Sequence, residues 1–140
     1  MEILCPGLES LNEAAARIFE YGKKNKVWLL KGEMGAGKTT FMHVLAAQLG
    51  IDDRVNSPSY TLINEYRGRD SQALFHFDFF RVKSAEEAVE TGFFDYIDSG
   101  NYCFIEWPEL IESLIPPSYT EVNIQVTGPN SRIFKVDLHD

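Results

Sequence analysis

Val27-Trp28-Leu29-Leu30-Lys31-Gly32-Glu33-Met34-Gly35-Ala36-Gly37-Lys38-Thr39-Thr40 is the stretch on which the fold turns. Val27–Leu30 is a short, wholly apolar run, the pattern of a strand buried on both faces. Gly32–Thr39 follows at once and fits G-x-x-x-x-G-K-[ST] in full. A helix is then predicted from about Lys38 to Leu49, with Phe41, Val44, Leu45 and Leu49 inward and Gly50 as its stop. Strand, glycine-rich loop and helix in that order are the context a phosphate-binding loop requires.

The residue types explain the chemistry expected of this loop. Glycines let the backbone curl and turn successive N–H groups inward as an anion nest. Those donors and the helix N-terminus cradle phosphates. Lys38 carries a point charge to the β- and γ-phosphates, and the Thr39 hydroxyl is the expected Mg²⁺ ligand. The loop predicts ATP/ADP binding with Mg²⁺ over Gly32, Glu33, Met34, Gly35, Ala36, Gly37, Lys38, Thr39 and Thr40.

Outward from the loop, Glu2–Cys5 reads as a short strand. Ser10 and Glu13 form a capping box that opens a helix striped by Leu11, Ala14, Ala15, Ile18 and Phe19 and ended by Gly22. Strands are predicted over Tyr60–Tyr66 and Ala73–Phe79, antiparallel about the polar turn Arg67–Gln72. Ser84 and Glu87 box a helix running to about Thr91. Tyr102–Ile105 is a second buried strand, Glu109–Ile115 a short helix closed by Pro116-Pro117, and Val122–Val126 with Phe134–Leu138 a terminal hairpin. The sum is an α/β fold of the P-loop NTPase type in three layers: a mixed, mostly parallel central sheet with antiparallel edge strands, forming one domain over residues 1–140.

A phosphate loop needs an acid at the end of a neighbouring buried strand to hold the metal. Glu106 directly follows Tyr102-Cys103-Phe104-Ile105, where ligands bind in open α/β sheets, and is the second expected metal ligand beside Thr39. In His76-Phe77-Asp78-Phe79-Phe80-Arg81, Asp78 is a candidate to orient an attacking water or bind the metal's water shell; the alternative is a structural pairing with Arg81. His76 reads as a packed core or turn histidine. Ser57 and Thr61, in Ser57-Pro58-Ser59-Tyr60-Thr61, stand where hydroxyls of a switch segment reach a γ-phosphate or magnesium; a rigid turn into a strand is the alternative. Trp107 suits packing on nucleotide, packing on a partner, or a structural Trp-Pro corner. Ser10 and Arg132 are candidates for the adenine end by location only.

Composition narrows the partners. The net charge is −8 with only 13 Lys and Arg, the Lys23–Lys24–Lys26 cluster reading as a solvated helix end, so direct nucleic-acid binding is not expected. Cys5 and Cys103 lie far apart and fit reduced, packed thiols. No charged-then-apolar leader and no apolar run of roughly 18 residues is present, so a cytoplasmic protein without membrane contact is expected.

The blocks Leu30–Phe41, Asn56–Tyr66, His76–Arg81 and Ile105-Glu106-Trp107-Pro108-Glu109 together resemble the TsaE (YjeE) family in order and spacing, over nearly the whole chain. The resemblance implies a small ATPase with weak intrinsic activity, required for threonylcarbamoyladenosine modification of tRNA. It implies coupling to a TsaB–TsaD type complex, with TsaC upstream and tRNA met only through that complex. It also implies that Thr39 and Glu106 bind magnesium and Lys38 binds phosphate. Asp78, Ser57 and Thr61 would then serve hydrolysis or switching, with Trp107 near the nucleotide or the partner. Glu33 and Met34 depart from the family's usual Asp and Leu, Ser59 from Thr, and Phe80 from Tyr, which removes a phenol at position 80. Rival functions are a small-molecule kinase, disfavoured by only six Arg with none on a lid-like segment, a GTPase switch, disfavoured by the missing Asn-Lys-x-Asp, and a nucleotide-gated binding module.

Overall fold

The apolar run Val27–Lys31 (β2) forms a strand whose first four residues are all buried, and it lies at the centre of the sheet. Trp28 and Leu30 face one hydrophobic cluster, Val27 and Leu29 the other, as the two-residue period of a strand requires. The structure is a computed structural model and describes residues 1–55, 62–70 and 72–140.

The strands are β1 (Glu2–Cys5), β2, β3 (Asp53–Arg54), β4 (Ile63–Arg67), β5 (Ala73–Asp78), β6 (Tyr102–Glu106), β7 (Tyr119–Val126) and β8 (Arg132–His139). They form one sheet in the order β1-β8-β7-β2-β6-β5-β4-β3. The four central strands, β7, β2, β6 and β5, run parallel, and the pairs outside them are antiparallel. The mixed sheet with antiparallel edges is therefore as the sequence predicts.

Helices α1 (Leu11–Gly22) and α2 (Lys38–Gln48) cover one face. That side is sealed by Trp28, Phe41, Leu45, Phe104 and Phe134. The shorter α3 (Ala85–Glu90) and α4 (Phe93–Ile97), with the tight turn Glu109–Leu114, cover the other over Phe75, Phe77, Phe93 and Ile105. Each fully buried large side chain contributes about 1.5–3 kcal/mol from desolvation alone.

Several local expectations change. Helix α1 begins at Leu11, but Ser10 makes no side-chain capping bond. Its backbone is already helical (φ −93°, ψ −5°), because a 3₁₀ turn over Leu8–Ser10 runs straight into the helix, so the hydroxyl is not turned back over the first turn. Gly22 is the last helical residue for a packing reason: a Cβ there would come within 2.7 Å of Thr120 Cγ2. The Ser84 box forms with an offset. Ser84 Oγ accepts from Glu87 N at 3.2 Å, while the Glu87 carboxylate accepts from Lys83 N at 3.1 Å, one residue early. Helix α4 was hidden because Gly92, at φ 91°, reads as a stop but opens a second helix. The described strand before Arg67 starts at Ile63, and the segment 109–114 is 3₁₀ with a kink at Ile111. The hairpin starts earlier on β7 than its apolar alternation marks, because Tyr119–Glu121 pairs with Asp137–His139 and its Thr120 and Glu121 pair with β2 as well.

Of the lysine cluster, Lys23 pairs with Glu20, Lys24 with Asp140, and Lys26 lies over the Tyr102 ring. Among the described residues no helix is long and apolar enough to cross a membrane.

Candidate functional site

Strands β2, β6 and β5 run parallel, so their carboxyl ends emerge together, and α2 begins where β2 ends. The loop between them makes its turns at Gly35 (φ 83°) and Gly37 (φ 103°), left-handed conformations that side chains rarely adopt. A Cβ at either position would meet nothing within 4 Å, so the loop encloses open space. Gly32 has a different reason: a Cβ there would lie 2.8 Å from Ile124 O, and the loop passes tightly over β7.

Helix α2 presents its first N–H groups to this space with no side-chain cap and no acid in its first turn, so the positive end of its dipole is unopposed. Lys38 is buried. Its Nζ donates to Gly32 O at 2.8 Å and stands 3.4 Å from the centre of the Trp107 ring. Burial lowers the ammonium's pKa from its ordinary value, against the pull of Glu106, Glu109 and Asp78. Trp107 reaches that place through a backbone at φ 57°, unusual for a bulky residue, and also packs on Phe80 with ring centres 5.0 Å apart.

Thr39 Oγ1 donates to Glu106 Oε2 at 2.8 Å. Glu106 is 4% exposed, and the same oxygen faces His76 Nε2 in a close hydrogen bond. Burial alone would raise the Glu106 carboxyl; the hydrogen bond and charge of His76, the Thr39 hydroxyl and the Lys38 ammonium outweigh it and hold the group below its usual range. Asp78 sits beside Glu106 in register at the neighbouring strand end, but exposed. Its Oδ1 accepts from Phe80 N at 3.1 Å, and among the described residues it forms no ion pair with Arg81.

A cleft of about 360 Å³ joins these groups. Met34, Gly35, Gly37, Lys38, Thr39, Thr40, Asp78, Phe80, Glu106 and Trp107 line it. Its donor set suits a magnesium–triphosphate pair. A hydroxyl and a carboxylate lie within hydrogen-bond distance of each other, and a cation and free helix N–H groups stand beside them. Among the described residues no cluster of three or more His, Cys, Asp or Glu could hold a metal by itself. Mg²⁺ does not require one, because it keeps waters and takes substrate phosphate oxygens.

A second cavity of about 200 Å³ opens on the far side of Gly35–Gly37, between Leu8, Leu11, Pro129 and Arg132. Arg132 ties the β7–β8 turn to the loop, its Nε donating to Ala36 O at 2.8 Å and its Nη1 to Gly128 O and Ser131 O. Glu33 lines a separate depression with Gly32 and Lys135, and Ser10 lines none of these cavities. Ser57 and Thr61 lie outside the described residues.

His76 is the site residue that reading the sequence misses. It is buried, as a packed histidine would be, but it bonds the expected metal ligand. The available signal was its position two residues before Asp78, on the strand face shared with Leu74 and directed toward α2.

A phosphate loop between a central parallel strand and its helix, with an acid on the neighbouring strand end, defines the P-loop NTPase fold. Comparison with known proteins then gives the family. The family described as "Threonylcarbamoyl adenosine biosynthesis protein TsaE" matches residues 5–134. The tRNA threonylcarbamoyladenosine biosynthesis protein TsaE of Rickettsia felis is 33% identical over 129 residues, covering 91% of this chain and 74% of that protein. The Bacillus subtilis protein of the same name is 36% identical over 112 residues, covering 80% and 69%. The crystal structure of Bacillus subtilis YdiB superposes with a TM-score of 0.72 at 25% identity, covering 99% of this chain and 84% of that one. The chain belongs to the TsaE family, which takes part in tRNA threonylcarbamoyladenosine biosynthesis.

Proposed function

We propose that the chain is a cytoplasmic ATPase that binds ATP with Mg²⁺ in the cleft at Gly32–Thr40 and hydrolyses it slowly when alone. It would work in the family's tRNA modification by acting on a TsaB–TsaD type complex, meeting tRNA only through that complex. The observation that carries this reading is the Thr39–Glu106 hydrogen bond at the floor of the loop. A threonine hydroxyl that donates to a carboxylate keeps both lone pairs for a metal.

Each residue has a part in this reading. The N–H groups at the start of α2 bind phosphate oxygens. Lys38 leaves Gly32 O and the Trp107 ring for the β- and γ-phosphates. Thr39 and Glu106 would hold Mg²⁺, which when bound would neutralise charge developing on the phosphates. Asp78, exposed at the cleft mouth, orients the attacking water and takes its proton. Ser57 and Thr61 would serve hydrolysis or switching. The adenine end would lie toward the cavity at Arg132.

A low solitary rate fits the cleft's lining, which holds Lys38 but, among the described residues, no arginine to share transition-state charge. The same scarcity disfavours a small-molecule kinase. The net charge of −8 agrees with indirect contact with tRNA.

The deciding experiment is phosphate release from ATP by the protein alone and with a TsaB–TsaD pair, with Lys38→Ala and Glu106→Ala as controls. Stimulation by the pair that both variants lose is expected. ATP binding with no response to the pair would overturn the partner coupling and bring the kinase or binding-module readings forward.

A further inference from the structure

Three elements converge on one oxygen beneath the phosphate loop. Thr39 comes from α2, His76 from β5 and Glu106 from the end of β6, and both neighbours bond the same Oε2. In the parallel register His76 lies opposite Phe104, two residues before Glu106 and on the same strand face. Glu106 also lines the cleft, and its Oε1 makes no hydrogen bond among the described residues. Oε2 is thus anchored inward while Oε1 is left for whatever occupies the cleft.

The histidine's own bonding shows which part of it matters. His76 is 3% exposed, and its Nδ1 is buried with no partner among the described residues. An imidazole kept only for packing at this place leaves one nitrogen unsatisfied for no return. Leu74, Phe75 and Phe77 show that β5 otherwise fills such positions with apolar side chains. What an apolar residue could not supply is the donor to Glu106. Against the Glu106 carboxylate, which can only accept, the ring is read in the tautomer that carries its proton on Nε2.

We propose that His76 is a positioning residue for the magnesium site: its Nε2–H fixes Oε2 of Glu106 so that Oε1 is presented to the metal or its water. The proposal rests on the ATP–Mg²⁺ reading of the cleft. Groups that orient a metal-binding carboxylate from behind are commonly worth about 10- to 100-fold in metal affinity.

The test compares two amides of nearly equal size. His76→Gln places its amide nitrogen where Nε2 stood, whereas His76→Asn places it at Nδ1, short of Glu106. Affinity for a non-hydrolysable ATP analogue is measured by calorimetry with Mg²⁺ and with EDTA. In the wild-type chain Mg²⁺ tightens binding. His76→Asn is expected to lose about 10-fold or more of that tightening while its EDTA affinity stays unchanged, and His76→Gln to keep it. Equal behaviour of the two amides, equal losses with Mg²⁺ and with EDTA, or failure of both to fold would overturn the proposal and return His76 to the core. A wild-type chain whose affinity ignores Mg²⁺ would instead overturn the reading of the cleft itself.

Discussion

The inner wall of the cleft and its outer rim carry similar chemistry in opposite settings. The wall is Lys38, Thr39, His76 and Glu106: three of them are at most 5% exposed, and each is bonded to protein groups before any ligand arrives. The rim is Met34 at 67% exposed, Phe80 at 50%, and Asp78, whose side chain among the described residues bonds only the backbone two residues on. Asp78 and Glu106 are register partners on adjacent strands, yet one carboxylate is wet and the other nearly dry. Burial makes the contact between His76 and Glu106 electrostatically strong. Exposure leaves the rim cheap to change and available to water or to a partner.

The largest expected effect separates rim chemistry from wall stability. Asp78→Asn should lower partner-stimulated phosphate release by about 10²- to 10⁴-fold, the usual worth of a general base, while the melting temperature stays within what ~0.5 kcal/mol moves. A parallel loss of stability would show that Asp78 belongs to the frame. Next, Lys38→Met should weaken triphosphate binding by about 10- to 100-fold, the worth of one charged hydrogen bond, without lowering the stability of the empty protein. The second half follows because burial disfavours the Lys38 charge and Met fills similar volume. Calorimetry and thermal melting read the two halves.

The acid limb of stability tests the wall again. Glu106 is held below its ordinary 4.5, so its folded form binds a proton less readily than its unfolded form. Its contribution is fully present above pH 4.5 and is lost as pH falls through the folded value. Glu106→Gln should flatten that part of the melting-temperature profile, and Asp78→Asn should leave it. An unchanged profile in Glu106→Gln would show that the wall carboxylate carries no such linkage. The smallest effect is expected away from the cleft. Burial pushes the Cys103 thiol up to about 12, so it should stay unreactive toward a disulfide reagent at pH 8 until the chain unfolds. Fast labelling in the native state would show that β6 opens.

These contrasts bear on what a sequence makes legible. Local pattern was enough where one segment carries both the element and its chemistry. The apolar β2 with its glycines and Lys38, and the four apolar residues that deliver Glu106 to a strand end, are of this kind. It failed where the meaning depends on a neighbour distant in the chain. His76 takes its role from Glu106, thirty residues on, through a strand pairing that no local period encodes. The two-residue β3 is too short to show a period, and Gly92 opens a helix with the same residue that ordinarily closes one. Ser10 and Glu13 have the right spacing for a capping box, but the turn before them decides the backbone angle and with it the bond.

The two tryptophans divide along the same line as wall and rim. Trp28 is fully buried at the centre of the sheet, its indole N–H held by Asn25 O at 2.9 Å, and it does not line the cleft. Trp107 stands in the cleft with an ammonium 3.4 Å above its ring. The protein therefore carries its own optical reference and its own optical sensor. A change in emission on filling the cleft is expected from Trp107, whose ring Lys38 would leave, while the buried Trp28 is expected to change on unfolding.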